Sequence, residues 1–389
     1  MNNKKMKIMQ VVTSISDDFA GPSYSVPALC SALQDNGCDV TLYTLGDLPK
    51  KSFNFTIKTF PRGKFPTPKL AYLLGLSPKM LQEMKKDVDS FDIIHSHMLW
   101  KAPNYYSGFV AKDKNKPYLI SPRGTVSSWA LNFSKWKKKI VLALGQKKAL
   151  DAVTCFHATS EEERKEIVAF GYPKTPCTVI PNGIDIPEMQ YPKLSDKKRL
   201  VFLSRIHEKK GVDILIKSWK QVEKLFPEWE LSIVGPNEHE YAKKMQKLVI
   251  ELDCQRITFE GEIYGEDKIK FLQQSYLFVL PTHSENFGMV VAEALVNEVP
   301  VICSKGAPWE GLETHDAGWW IDIGEEALIK ALKTAMDLDS EELLQKGKNG
   351  RKWMINDFSW DKIAKQLIDV YQWLLNKKEK PVTVYEGTV

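Results

Sequence analysis

The chain has 389 residues, of which 43% are hydrophobic and 26% charged, and its formal net charge is +5. This balance excludes a disordered or fibrous chain, and the length exceeds what one ordinary core organises, so two domains are expected. The small basic excess does not by itself indicate a nucleic-acid partner. Cys30, Cys38, Cys155, Cys177, Cys254 and Cys303 form no CxxC pair and no metal-finger spacing. Scattered thiols suit a reducing cytosol rather than a disulfide framework, so a cytoplasmic location is expected.

The N-terminal run Met6–Val12 is short and leads into polar residues. It reads as a first strand rather than a signal peptide. No stretch is apolar over enough residues to span a bilayer. Next comes a glycine loop at Gly21, then a helix with Val26, Leu29, Cys30 and Leu33 at helical spacing, stopped by Gly37. Strand signals follow at 39–44, 92–95, 118–121, 154–158 and 178–180. From Pro181 to about Lys198 the apolar periodicity lapses, and prolines at 181, 187 and 192 mark a linker. A second series has strands at 200–204, 231–234, 257–259, 277–280 and 299–303. After about Ala327 the pattern is helical to Lys377, and the tail from Pro381 is expected to fray.

The expected fold class is therefore α/β, with two Rossmann-like, doubly wound parallel sheets. The boundaries are an N-terminal domain at 1–185, a linker at 186–198, a second domain at 199–360, and a terminal helix at 361–380 packing back on the first domain. Two such domains in tandem imply a cleft, and ligands sit beyond the carboxyl ends of parallel strands.

The strongest constellation follows the apolar strand Leu277–Leu280. A polar loop, Pro281 to Asn286, leads through Phe287, Gly288, Met289 and Val290 into an apolar helix running to about Asn297. Ser284 or Asn286 is the expected cap. Free backbone N–H groups at that helix start make a phosphate site, and Gly288 lets a diphosphate approach. Glu285 precedes the helix and Glu293 lies within it, flanked by Val290, Val291, Ala294 and Leu295. A helix this apolar has little solvent face, so a carboxylate on it suggests a ligand, a ribose at Glu293 and a sugar near Glu285. The strand Leu200–Ser204 ends in Arg205, His207, Lys209 and Lys210. Fixed cations at that position would stabilise the charge developing on a departing nucleoside diphosphate. Lys209 reads as a solvated loop charge. Gly235-Pro236 and Glu260-Gly261 end neighbouring strands in the same way.

The pattern Glu285-x7-Glu293, with Arg205 and Lys210, Gly261, and Pro181-Asn182-Gly183-Ile184-Asp185, resembles the family-4 retaining glycosyltransferases of the GT-B fold. The match covers most of the chain and is strongest from about 157 to 303. It implies a nucleotide-diphosphate sugar donor, retention of anomeric configuration, and no metal or other cofactor. It further implies that Arg205 and Lys210 bind the diphosphate, Glu293 the ribose, and Glu285 the donor sugar. Phe287, Gly288, Met289 and Val290 would line that sugar, and Arg256 to Ile263, including Glu260 and Ile263, would flank the base. Gly21 stands where relatives often have paired glycines facing the diphosphate, but Pro22 follows it and offers no N–H.

On the acceptor side, His95 and His97 are spaced to share one face of a strand. They have no evident third metal ligand nearby, so they read either as cleft-lining or as structural. Many relatives place a histidine in the loop after Tyr118–Ser121. This chain has Arg123 there, suited to an acceptor phosphate or to a loop-ordering ion pair. Beyond Trp129, the stretch Lys135–Lys148 interleaves lysines with Trp136, Ile140 and Leu144 and carries no acid. It reads as a peripheral contact with anionic lipid at the inner face of the cytoplasmic membrane, or as an ordinary solvated helix.

The resulting expectation is a glycosyltransferase acting on a glycan, lipid-linked, in cell-surface polysaccharide synthesis. A nucleotide-sugar epimerase of the same fold and a non-catalytic sugar-nucleotide binder are the alternatives. Asp87-Val88-Asp89 and Asp337-Leu338-Asp339 lie outside the strand context that a metal-dependent transferase requires. Gly21-Pro22-Ser23-Tyr24-Ser25-Val26 is no dinucleotide fingerprint, and the lysine cluster has no nucleic-acid module around it.

Overall fold

The computed structural model describes residues 5–16, 21–48, 52–127, 130–131, 142–193 and 197–387. The chain forms two compact units. One comprises 1–183 together with 360–389, and the other comprises 184–359.

The first unit is built on a sheet of β1 (Lys7–Val11), β2 (Asp39–Leu45), β3 (Thr56–Phe60), β4 (Ile93–His97), β5 (Tyr118–Ser121), β6 (Cys155–Ala158), β7 (Cys177–Val179) and β14 (Val384–Tyr385). Their spatial order is β14-β7-β6-β5-β4-β1-β2-β3. All neighbours are parallel except β14, which runs antiparallel to β7. β4 and β5 are buried along their whole length, whereas the edge strand β3 is largely open. Helices cover both faces, which is why the central strands read as near-continuous apolar runs. The tail expected to fray instead supplies β14, with Val384 buried. The helix Trp360–Leu374 belongs to this unit and buries Ile363, Ala364, Leu367, Val370 and Tyr371 in one stripe against Ile8, Val26, Leu29 and Leu33.

The second unit carries β8 (Lys198–Leu203), β9 (Trp229–Val234), β10 (Ile257–Gly261), β11 (Leu277–Leu280), β12 (Val301–Ser304) and β13 (Gly318–Ile321). All are parallel, in the order β10-β9-β8-β11-β12-β13. The expected linker is part of this unit over its described length. Gln190 and Tyr191 donate their backbone N–H groups to the Gln273 side chain at 3.0 and 3.1 Å, and Lys198 already begins β8. Among the described residues no helix is long and apolar enough to cross a membrane. Residues 135–141 of the Lys135–Lys148 stretch, and Trp129, lie outside the described residues. In the remainder, Gly145 at φ 146° breaks the helical path.

Candidate functional site

In the second sheet the chain winds outward from β8 through β9 to β10, then returns to β11 on the other side of β8. The loops after β8 and β11 therefore meet at a topological switch point, where parallel sheets bind ligands. After β8 the chain passes Arg205 and His207 into a tight turn, Glu208–Lys210, ended by Gly211 at φ 69°. A Cβ at Gly211 would run into the Pro281 carbonyl oxygen, so only glycine fits the close approach of the two loops. The loops are laced together. His283 N–H donates to the Lys209 carbonyl at 2.8 Å, and the Thr282 hydroxyl donates to the same oxygen at 2.9 Å.

This lacing brings the Lys210 ammonium onto the Glu285 carboxylate, with both side chains mostly enclosed. Arg205, on the same loop as Lys210, stands exposed and makes no ion pair among the described residues. Gly288, at φ 80°, caps the helix Met289–Val296 and itself brings no side chain to the first N–H groups. The N-cap position is Gly288 rather than Ser284 or Asn286: the loop enters the helix through a left-handed glycine, the Val291 N–H turns back to the Gly288 carbonyl at 2.9 Å, and the N–H groups of Met289 and Val290 lie ahead of any intrahelical carbonyl. Trp309, buried, fixes this entry. Its indole N–H donates to the Phe287 carbonyl at 2.6 Å, and its ring lies 5.0 Å from that of Phe287. Met289 and Val290 are half-buried and pack on the core.

Glu293 sits one face along the same helix, bound at 2.8 Å by Lys268 of the helix Gly265–Gln273. The two glutamates thus have separate lysine partners. Gly235 and Gly261 lie side by side at the carboxyl ends of β9 and β10, joined by a 2.8 Å backbone hydrogen bond. Glu260 is exposed and accepts from Ser232 at 2.8 Å, and Ile263 is half-buried. Arg256 does not share this edge. It precedes β10, at the amino end of the sheet, and its guanidinium donates to the Trp229 and Glu223 carbonyls.

In the first unit the candidates take different positions. Gly21, at φ 77°, begins the helix Pro22–Asp35. His95 and His97 share one face of β4 with ring centroids 4.4 Å apart, and both are fully buried. His95 bonds Tyr371 and Ser121, each at 2.7 Å. Ser121 continues to His157 at 2.8 Å, and His157 to the Ile180 carbonyl at 2.8 Å. His97 bonds Gln10 at 2.7 Å. Burial, aided by neighbouring positive charge, holds His95 and His97 well below the usual imidazole range and takes His157 down to about 4. These are neutral structural histidines.

Arg123 draws that network to the carboxyl edge of the sheet. Its Nε donates to His97 at 3.2 Å, and its Nη1 to Ser25 at 3.1 Å and Asn182 at 2.7 Å. The residues after β5 thereby touch the helix after β1, the end of β4 and the loop after β7. Burial pulls the guanidinium down to about 10, against the nearby Glu163 carboxylate, so it stays charged at neutral pH. Glu163 itself accepts from the Gly124 N–H at 2.6 Å and from Thr159. The aspartates of the two Asp-x-Asp pairs are engaged in structure: Asp87 binds Lys58 and Tyr43, and Asp339 caps the helix Ser340–Phe358.

Sequence reading missed Lys268, Trp309, Glu163 and Tyr371. None stands in a motif of its own, although Asn182 lay in the Pro-Asn-Gly-Ile-Asp run already singled out.

Two doubly wound parallel-sheet units, one carrying cations and carboxylates at its switch point, define a GT-B transferase architecture. Residues 20–188 match the description Glycosyltransferase Family 4, and residues 187–353 match Glycosyl transferases group 1. The capsular polysaccharide biosynthesis glycosyltransferase CapM of Staphylococcus aureus is 30% identical over 277 residues, 66% of this chain and 71% of CapM. The chain belongs to the family-4 glycosyltransferases and is a glycosyltransferase. An uncharacterized glycosyltransferase of Methanocaldococcus jannaschii is 24% identical over 374 residues, covering 88% of this chain and 92% of that one. Anabaena HepE in complex with UDP shares the fold with a TM-score of 0.74 at 18% identity, across 95% of this chain and all of HepE.

Proposed function

We propose that the enzyme moves a sugar, with retention, from a nucleoside-diphosphate donor to a hydroxyl of a lipid-linked glycan, without a metal ion, at the cytosolic face of a membrane. The observation that carries this reading is the Lys210–Glu285 pair at an uncapped helix start on the switch point. An ion pair beside open N–H groups suits an anionic ligand that also presents hydroxyls. The diphosphate would take Lys210, Arg205 and the N–H groups after Gly288. The sugar hydroxyls would meet Glu285, and the ribose Glu293. CapM supports the assignment to cell-surface polysaccharide, and the UDP held by HepE supports a nucleotide donor.

In the front-face course proposed, the acceptor oxygen bonds to the anomeric carbon as the bond to the phosphate oxygen breaks. The electron pair leaves with the diphosphate. The acceptor proton passes to that departing oxygen, so no protein base is needed. Lys210 and Arg205 would stabilise the growing charge, supplying the cation that a metal provides elsewhere. On the acceptor side, Arg123 at the start of the helix Pro22–Asp35 suits a phosphate of the lipid carrier.

The test is a panel of UDP-, GDP- and ADP-sugars screened for thermal stabilisation, followed by NMR of turnover with the best donor. Release or transfer of sugar with retained configuration is expected. An isomerised donor would mean an epimerase, and binding without turnover a non-catalytic binder.

A further inference from the structure

After β3 the chain leaves the first sheet in an excursion that returns at Leu76. Its neck is closed by the Gly63 N–H on the Leu76 carbonyl at 2.7 Å and the Ser77 hydroxyl on the Pro61 carbonyl at 2.7 Å. Between these pins, residues 64–70 are all exposed, and the helix Pro68–Leu74 buries only Ala71. Its outer side is apolar: Phe65 is 85% exposed, Tyr72 57% and Leu73 53%. Water gains nothing from this, and one short helix holds these side chains outward.

The charge around them has one sign. From Ser52 to Gln82 the chain carries Lys58, Arg62, Lys64, Lys69 and Lys79 and no acidic residue. Lys58 is spent on Glu83 and Asp87. The Arg62 guanidinium lies 4.3 Å from the Tyr72 ring centre, and Lys101 reaches the Leu73 carbonyl. Lys64 and Lys69 are exposed and unpaired among the described residues. Aromatic and aliphatic tips among uncompensated cations are the composition of a surface that enters the headgroup layer of an anionic bilayer.

The excursion also adjoins the carboxyl edge of the first sheet. It follows the carboxyl end of β3, and Gly75 packs against Thr13, just beyond β1, and Pro103, beyond β4. We propose that the tip Lys64–Leu73 docks this unit on an anionic lipid surface, setting the carboxyl edge of its sheet beside the membrane. A second copy of the chain is the poorer occupant, because an isologous contact would oppose Lys64 and Lys69 to the same cations. This goes beyond the proposed acceptor and places the membrane contact away from Lys135–Lys148.

The test is co-sedimentation of the full chain with phosphatidylcholine vesicles, with and without phosphatidylglycerol, at low and high salt. Folding of each variant is checked by thermal melting, and donor turnover is measured without vesicles, so that failure of the transferase reading registers separately. Wild type is expected to bind only the anionic vesicles and to be released by salt. The exposed pairs F65S/L73S and K64E/K69E should each weaken binding at least about tenfold while leaving the melt unchanged. Three results would overturn the proposal: no binding by wild type, undiminished binding by both pairs, or loss of binding only when Lys135, Lys137, Lys138 and Lys139 are reversed. Concentration-dependent dimerisation abolished by F65S/L73S would instead assign the patch to a second copy and equally overturn it.

Discussion

Lys210 and Glu285, from loops that follow different strands, form an ion pair because β8 and β11 are neighbours in the sheet. The pair is mostly enclosed, so each charge depends on the other until a ligand arrives. In the proposed reaction an incoming diphosphate would compete for the lysine and free the carboxylate for the hydroxyls of the attached sugar.

Glu285→Gln is expected to lower turnover by about two orders of magnitude, since the amide is a poor acceptor for hydroxyls in the charged transition state. Nucleotide affinity should stay within a few-fold, because Lys210 loses its competitor. Turnover with the preferred donor and calorimetric titration of the free nucleotide check both halves.

Glu293→Ala should show the opposite split. The nucleotide would bind roughly tenfold to a hundredfold more weakly, the loss of a charged hydrogen-bond acceptor of about 1.5–3 kcal/mol, with turnover at saturation largely kept. Lys268→Ala should move affinity in the same direction by less, because it orients the carboxylate rather than touching ligand. Equal loss of affinity in Glu285→Gln and Glu293→Ala would refute the division of roles.

Gly211→Ala is expected to destabilise the second unit by about 2–4 kcal/mol. The residue has φ 69°, and its new methyl group would meet the Pro281 carbonyl. Differential scanning calorimetry should show one transition shifted down. An unchanged melt would mean that the two loops are not in contact.

Trp309→Phe keeps the ring but removes the donor to the Phe287 carbonyl. A cost of about 1–2 kcal/mol is expected from the unpaired oxygen. Because that carbonyl precedes Gly288, nucleotide affinity should fall with it, read by titration at a temperature where both proteins are folded.

Acid should weaken the first unit. His95, His97 and His157 have folded pKa values depressed below the 6.5 of an exposed imidazole, to about 4 for His157. Below pH 6.5 the unfolded chain takes up protons that the folded chain refuses. The stability these groups contribute is therefore present above that pH and declines as pH falls toward 4, by about 1.4 kcal/mol per pH unit for each. Melting temperature measured across this range should drop steeply. Replacing His157 with Gln should flatten the slope.

Much of the fold was legible because its signals are local. Buried parallel strands such as β4 and β11 are apolar runs, and the helices between them show their own period. Strands at the margins were not. β3, Thr-Ile-Lys-Thr-Phe, has only Ile57 and Phe60 apolar, three residues apart, on an exposed edge, β13 is a short Gly-Trp-Trp-Ile, and β14 exists only because β7 offers it an open side. The cap at Gly288 was missed because polar residues nearby satisfied the usual rule, whereas the loop's geometry required a left-handed residue.

The sequence by itself determined two α/β series, the spacing of Glu285 and Glu293 on one loop and helix, and the cations after β8. These depend on neighbours along the chain, whose relations are set by helix and strand periodicity. Only the tertiary structure decided which lysine each glutamate holds. It also withdrew His95 and His97 into a buried network ending at Tyr371 and aimed Arg123 at Asn182. Those pairings join residues far apart in the chain, and only the order of strands in each sheet brings them within hydrogen-bond reach.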